Sequence, residues 1–189
     1  MGLTEWAYSL SEAMLSEPLP RRWAHSLGVA KRARSLGPIL GDDAEVLESA
    51  AVLHDIGYSP TIATTGFHPL DGARFLRGQE GVDQRIVRLV AHHSCALLEA
   101  EERGLRQELE TEFQPERPDL VDALIYCDMT TTPDGTPTTP AERLDEIVKR
   151  YGPDTIVGRF IQRAAPEIHA AVGRVEARLA QASAGSQPM

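Results

Sequence analysis

The sequence predicts an all-α fold, and three observations carry that expectation. Apolar residues recur at three- and four-residue spacing through most of the chain, and runs of β-branched residues with period-two alternation are almost absent. Proline or a capping residue opens many of the periodic segments, at Pro20, Pro69, Pro118, Pro140, Pro153 and Pro166. Proline suits the first turn of a helix because a residue there has no intrahelical use for its N–H. The expected architecture is a compact multi-helix bundle with no sheet of consequence.

The first helix is expected over Leu3–Ser16 and the second over Pro20–Leu36, stopped by Gly37 and Pro38. Asp42 with Glu45 reads as a capping box for a third helix that ends at Gly57. Further helices follow over Pro69–Arg77, Val82–His93, Ala96–Glu110, Pro118–Asp128, Pro140–Tyr151, Pro153–Ala164 and Pro166–Ala182. A loop rich in turn formers, Thr130–Thr139, follows Asp128 directly and is expected to border a functional site. No linker or repeat interrupts this order, so residues 1–182 are expected to form one domain and 183–189 a disordered tail.

At 189 residues, 42% hydrophobic and 25% charged, the chain has the composition of a globular domain large enough to bury a core. Its formal net charge of −9 works against long nucleic acid or an anionic membrane as partner. A small anionic ligand would need a local cluster of basic side chains. Cys95 and Cys127 lack paired spacing and read as reduced thiols. The first fifteen residues lack the basic start and apolar run of a signal peptide, and no stretch reaches membrane-spanning length. A cytoplasmic protein is expected.

Several metal-type side chains fall on the apolar lines of their helices. His25 continues a line with Val29, Ala33 and Leu36; His54 follows Leu47 and Ala50, with Asp55 its neighbour; Asp128 follows Leu120, Val121, Leu124 and Ile125. A single inward histidine is ordinarily a hydrogen-bonded core residue. A buried lone carboxylate, however, needs a cation, and imidazole with carboxylate oxygen is the donor mix for Zn, Fe, Mn and similar ions.

The run Leu53-His54-Asp55-Ile56-Gly57, with His25 before it and Asp128 after it, resembles the HD-domain superfamily of metal-dependent phosphohydrolases over roughly residues 20–145. The resemblance implies a first metal held by His25, His54, Asp55 and Asp128. It also implies a second site completed by His68, in F-H-P-L-D-G-A, and His93, in V-A-H-H-S. His93 continues the apolar line of Ile86 and Val90, whereas His92 follows Arg85 and Arg88 and is expected at the rim or in solvent. The layout is similar to the bacterial branch that includes symmetrical dinucleoside tetraphosphate hydrolases. Members of that branch often carry Lys shortly after the His-Asp pair, where this chain has Tyr58, so nucleotide specificity does not carry over.

The expected activity is hydrolysis of a nucleotide or other small phosphate ester by metal-activated hydroxide, with one or two divalent ions (Fe, Mn, Zn, Co, Ni or Mg) per chain. Asp55, expected to bridge two ions, His93 and Arg143 are the expected catalytic residues. Arg21, Arg22 and Arg143 are expected to bind the substrate phosphate, since guanidinium is a bidentate phosphate ligand. Lys31, Arg32, Arg34, Lys149 and Arg150 read as solvated helix faces. The same six metal donors suit a di-iron oxygenase, and a non-catalytic nucleotide-binding module is a third possibility. Oligomeric state is not legible.

Overall fold

A computed structural model describes residues 2–185, and helices make up nearly all of its regular structure. In chain order they are α1 (Leu3–Leu15), α2 (Pro20–Arg34), α3 (Gly37–Leu40), α4 (Ala44–Leu53), α5 (His68–Arg77) and α6 (Gln84–His92). Then come α7 (Ala96–Arg103), α8 (Arg106–Glu112), α9 (Pro118–Met129), α10 (Pro140–Tyr151) and α11 (Ile156–Gly185). Short 3-10 turns occupy Gly41–Asp43, Ile56–Tyr58 and His93–Cys95. Among the described residues the β-structure is one isolated bridge between Thr131 and Pro137. No described helix is long and apolar enough to cross a membrane.

Helix α4 is buried along most of its length and packs against α1, α2, α6 and α9. Leu47, Leu53, Phe67 and Leu120 are fully buried in this core, each stabilising the fold by about 1.5–3 kcal/mol. A second apolar cluster joins α9, α10 and α11 through Ile125, Leu144 and Phe160, and Val121 packs against both. The cleft that carries the polar residues lies beside this second cluster.

The segmentation differs from expectation at several points, beginning with the third helix, which ends at Leu53 rather than Gly57. Gly37 and Pro38 stop α2 but then open a one-turn helix, because proline is also at home in a first turn. The Asp42–Glu45 capping box does not form: Gly41–Asp43 is a 3-10 turn, and the Asp43 carboxylate instead accepts from Arg85 (2.6 Å) and Arg117 (2.7 Å). The expected helix over 96–110 breaks at Gly104, whose φ of +71° is a left-handed stop. The two expected C-terminal helices are one, α11, which runs through Pro166 although that residue cannot donate to the Gln162 carbonyl. Of the expected disordered tail, residues 183–185 are helical and 186–189 lie outside the described residues.

Candidate metal centre

Six donors expected from the sequence come together, each delivered by a helix end or an inward helix face. His25 faces inward from α2 and Asp128 from the last turn of α9. His54 caps α4, and Asp55 leads into the turn Ile56–Tyr58. His68 is the first residue of α5, and His93 follows α6. They form two groups, His25–His54–Asp128 and Asp55–His68–His93, with one donor atom of each residue within 4.8 Å of the others in its group. The groups adjoin: the His54 and His93 ring centroids are 5.2 Å apart.

Close backbone contact positions the second group. A Cβ on Gly57 would lie 2.0 Å from the His68 carbonyl oxygen, so only glycine lets the turn after Asp55 pack against the start of α5. Asp71 secures the preceding loop by accepting from the Thr64 and Thr65 amides and the Thr64 hydroxyl. After α6 the chain turns sharply through Ser94 (φ 48°) and Cys95 (φ 62°), both left-handed. Such a conformation costs roughly 1–2 kcal/mol per non-glycine residue. Here it lets His93 face the second group while Ser94 Oγ donates to Asp128 Oδ2 in the first.

The hydrogen bonds decide which imidazole nitrogen faces the cleft. Nδ1 of His25, His54 and His93 meets the carbonyl of Thr132 (2.9 Å), Ala51 (2.7 Å) and Val90 (2.6 Å) respectively. A carbonyl only accepts, so each Nδ1 carries the proton, and in the neutral ring each Nε2 is a lone pair. His54 Nε2 is buried with no hydrogen-bond partner. His25 Nε2 faces Asp128 Oδ1 at 3.0 Å, and His93 Nε2 faces His68 Nε2 at 3.0 Å. Asp55 reaches both groups, with Oδ2 3.4 Å from His54 Nε2 and Oδ1 3.3 Å from His68 Nε2.

Burial pushes the Asp55 carboxyl up, but the Arg22 guanidinium beside it outweighs burial and holds the group well below the usual carboxylate range. Asp128 is likewise held down against its burial, with the Arg143 guanidinium as a permanent positive charge among the causes. Burial lowers His68 and His93, favouring the neutral rings. Two carboxylates surrounded by inward lone pairs are a donor set that fits divalent first-row ions. The orphaned His54 Nε2 is the independent sign of that fit.

A model of the HD domain family matches residues 22–164. The chain belongs to the HD-domain family. The match spans all six donors, and the family lies within a superfamily of metal-dependent phosphohydrolases. No curated protein and no solved structure matches the chain.

Around the donors of this HD domain, the arginines take distinct places. Arg22 donates to Asp55 Oδ2 at 2.6 Å and lies 3.6 Å over the Tyr58 ring. Arg143 is 7% exposed, bonds Glu146 through Nη1 and leaves Nε buried without a partner. Arg21 stays outside, its exposed side chain paired with Asp134 at 2.7 Å. Arg21, Arg22, Arg143 and Arg150 together line a vestibule beside the donors, so Arg150 is no plain solvated face. Two further residues of that group are also engaged, Arg32 with Thr130 Oγ1 and Arg34 with Glu48. The rim position expected for His92 is corrected. It is 6% exposed and donates Nε2–H to the Phe113 carbonyl at 2.7 Å, because the segment around Phe113 covers the end of α6.

Thr130–Thr139 borders the site, supplying Thr132 to His25 and Pro133 to the vestibule. Gly135 in this loop lies against α2, where a Cβ would come 2.3 Å from the Ala24 carbonyl oxygen. Among the cleft-lining residues that sequence inspection did not single out are Ser94, Glu99, Tyr151 and Phe160. Only Ser94 carried a local signal, as the residue after the His92-His93 pair. The others are helical residues whose role depends on how α7, α10 and α11 pack.

Proposed function

We propose that this chain is a phosphohydrolase acting on a nucleotide or another small phosphate ester, with two divalent ions held by His25, His54, Asp55, Asp128, His68 and His93. The observation that carries this reading is the set of Nε2 lone pairs fixed toward two carboxylates, with His54 Nε2 left without any partner. Bound divalent ions supply Lewis acidity, lowering the pKa of coordinated water to about 7 and offsetting phosphoryl charge. Asp55, reaching both donor groups, would serve both ions. The buried Arg143 offers its free Nε–H, and Arg22 its remaining N–H groups, to the non-bridging phosphoryl oxygens. Met129, Ile147 and Phe160 form an apolar wall on the cleft and limit water around the reacting phosphate.

The acidic net charge favours a small ligand reaching the arginine vestibule over long nucleic acid. The free thiols of Cys95 and Cys127 suit a reducing, cytoplasmic setting. The test is phosphate release from a panel of nucleotides and simple esters by protein loaded with Mn, Fe, Co, Ni, Mg or Zn, with and without oxygen. Oxygen-independent, metal-dependent release is expected. An oxygen-dependent di-iron signal without phosphate release would overturn hydrolysis in favour of oxygenation, and metal below about half an ion per chain would overturn the metal centre itself.

A further inference from the structure

Beyond the donors, the cleft holds a buried carboxylate with an idle oxygen. Glu99, on α7, lines the same cleft as Tyr58 and His68, and its side chain is 6% exposed. Arg103, one turn later, sends both of its bonds to a single oxygen, Nε at 2.8 Å and Nη2 at 2.6 Å from Oε1. A guanidinium that only needed a counter-charge would engage both oxygens side by side. Here Oε2 receives no hydrogen bond from the protein, which leaves it able to accept one from a group in the cleft.

The surroundings restrict what could satisfy Oε2. Glu99 is an anion, so like-charge repulsion keeps a phosphoryl group away from it and toward the vestibule of Arg21, Arg22, Arg143 and Arg150. The cleft also has apolar and aromatic walls from Ile147, Tyr151, Val157 and Phe160. Such a lining is common for small organic ligands.

We infer that Glu99 is a specificity-determining residue that accepts a hydrogen bond from the organic part of the substrate. That part is an uncharged, flat, apolar-faced group carrying an O–H or N–H donor, as in a nucleoside. The inference rests on the phosphohydrolase reading for the word substrate, but the pocket is testable by binding alone. Two sources offer the donor, a sugar hydroxyl or a ring amino group. An ester with a second phosphate on its organic side is excluded by the charge of Glu99.

The experiment is calorimetric titration of metal-loaded protein with adenosine, a probe that carries both donors and no charge. It uses wild type, Glu99→Ala, Glu99→Gln and Arg103→Ala, each checked by thermal melting. Wild type is expected to bind, and Glu99→Ala to bind about tenfold more weakly or worse, the loss typical of a hydrogen bond to a charged group. Glu99→Gln keeps the shape and decides the matter should the alanine variant not fold; it too is expected to weaken binding. Arg103→Ala keeps the carboxylate and is expected to bind within about threefold of wild type. Parallel titrations with 2′,3′-dideoxyadenosine and with the purine nucleoside lacking the amino group identify the donor, as the one whose removal abolishes dependence on residue 99.

Equal adenosine affinity in wild type and both Glu99 variants would overturn the inference, as would absence of binding to wild type. So would an equal loss in Arg103→Ala, which would make Glu99 only the partner of Arg103. Adenosine binding through Glu99 with no phosphate released from any ester would sink the hydrolase reading alone. Phosphate release indifferent to residue 99 would sink this inference alone.

Discussion

The Tyr58 ring lies 4.0 Å from the His68 imidazole, centroid to centroid, with 18° between their planes. Arg22 lies 3.6 Å over the same ring. Two groups this close to one centroid cannot share a face, so Tyr58 is sandwiched between them. It thereby aims both at Asp55, which accepts from Arg22 at 2.6 Å and lies 3.3 Å from His68. Tyr58→Ala is expected to weaken the second metal site about tenfold, the usual effect of losing a group that orients a ligand. Tyr58→Phe keeps the stack and is expected to match wild type, because the phenol oxygen has no hydrogen-bond partner. Metal titration followed by calorimetry reads both.

Asp55 touches both donor groups, so Asp55→Ala is expected to lower metal content most and abolish turnover. His25→Ala and Asp128→Ala are expected to empty chiefly the first site, and His68→Ala and His93→Ala the second. Elemental analysis of each purified variant checks this. A wild-type metal count in both His68→Ala and His93→Ala would reduce the centre to one ion.

Arg143→Ala removes the buried guanidinium whose Nε has no partner. Metal content is expected to stay near wild type while kcat/KM falls about a hundredfold, the scale of losing one preorganised charge-stabilising donor. Steady-state kinetics beside elemental analysis separates the two effects.

Gly57→Ala would drive a methyl group to 2.0 Å from the His68 carbonyl oxygen, a clash of backbone with side chain that only movement of α5 relieves. A stability loss of about 1–3 kcal/mol is expected, seen as a Tm lower by about 5 °C. The second metal site should weaken with it, since His68 moves with α5.

His92→Ala removes the donor to the Phe113 carbonyl and leaves that buried oxygen unpaired. The expected loss is about 1–3 kcal/mol in stability, read by thermal melting, with both metals retained. Adjacent histidines would then report separately on stability, at His92, and on the second metal, at His93.

Much of the bundle was legible because its signals are local. Pro20, Pro118 and Pro140 each open a helix as the first-turn rule requires, and α10 spans the expected Pro140–Tyr151. That these six candidate donors would cluster was legible because their order and the Leu53–Gly57 run are written in the chain. What was not legible depends on neighbours remote in sequence. The Asp42–Glu45 box gives way to a 3-10 turn whose Asp43 pairs with Arg85 and Arg117, and His92 is covered by the segment around Phe113. Glu99 gains interest only when α10 and α11 close over it. Pro166 misled because its missing N–H is a small cost beside the apolar face α11 buries on both sides of it, from Phe160 to Val175.

The pairing of Arg22 with Asp55 bears on the order of events in the life of the chain. A carboxylate carried into the interior without a counter-charge would oppose collapse of the helices around it. Arg22 travels in the same polypeptide and neutralises Asp55 as α2 meets α4. The bundle can therefore assemble first and be metallated later. A cation entering the site would compete with a guanidinium already in place, so metal uptake there would be an exchange of one positive charge for another.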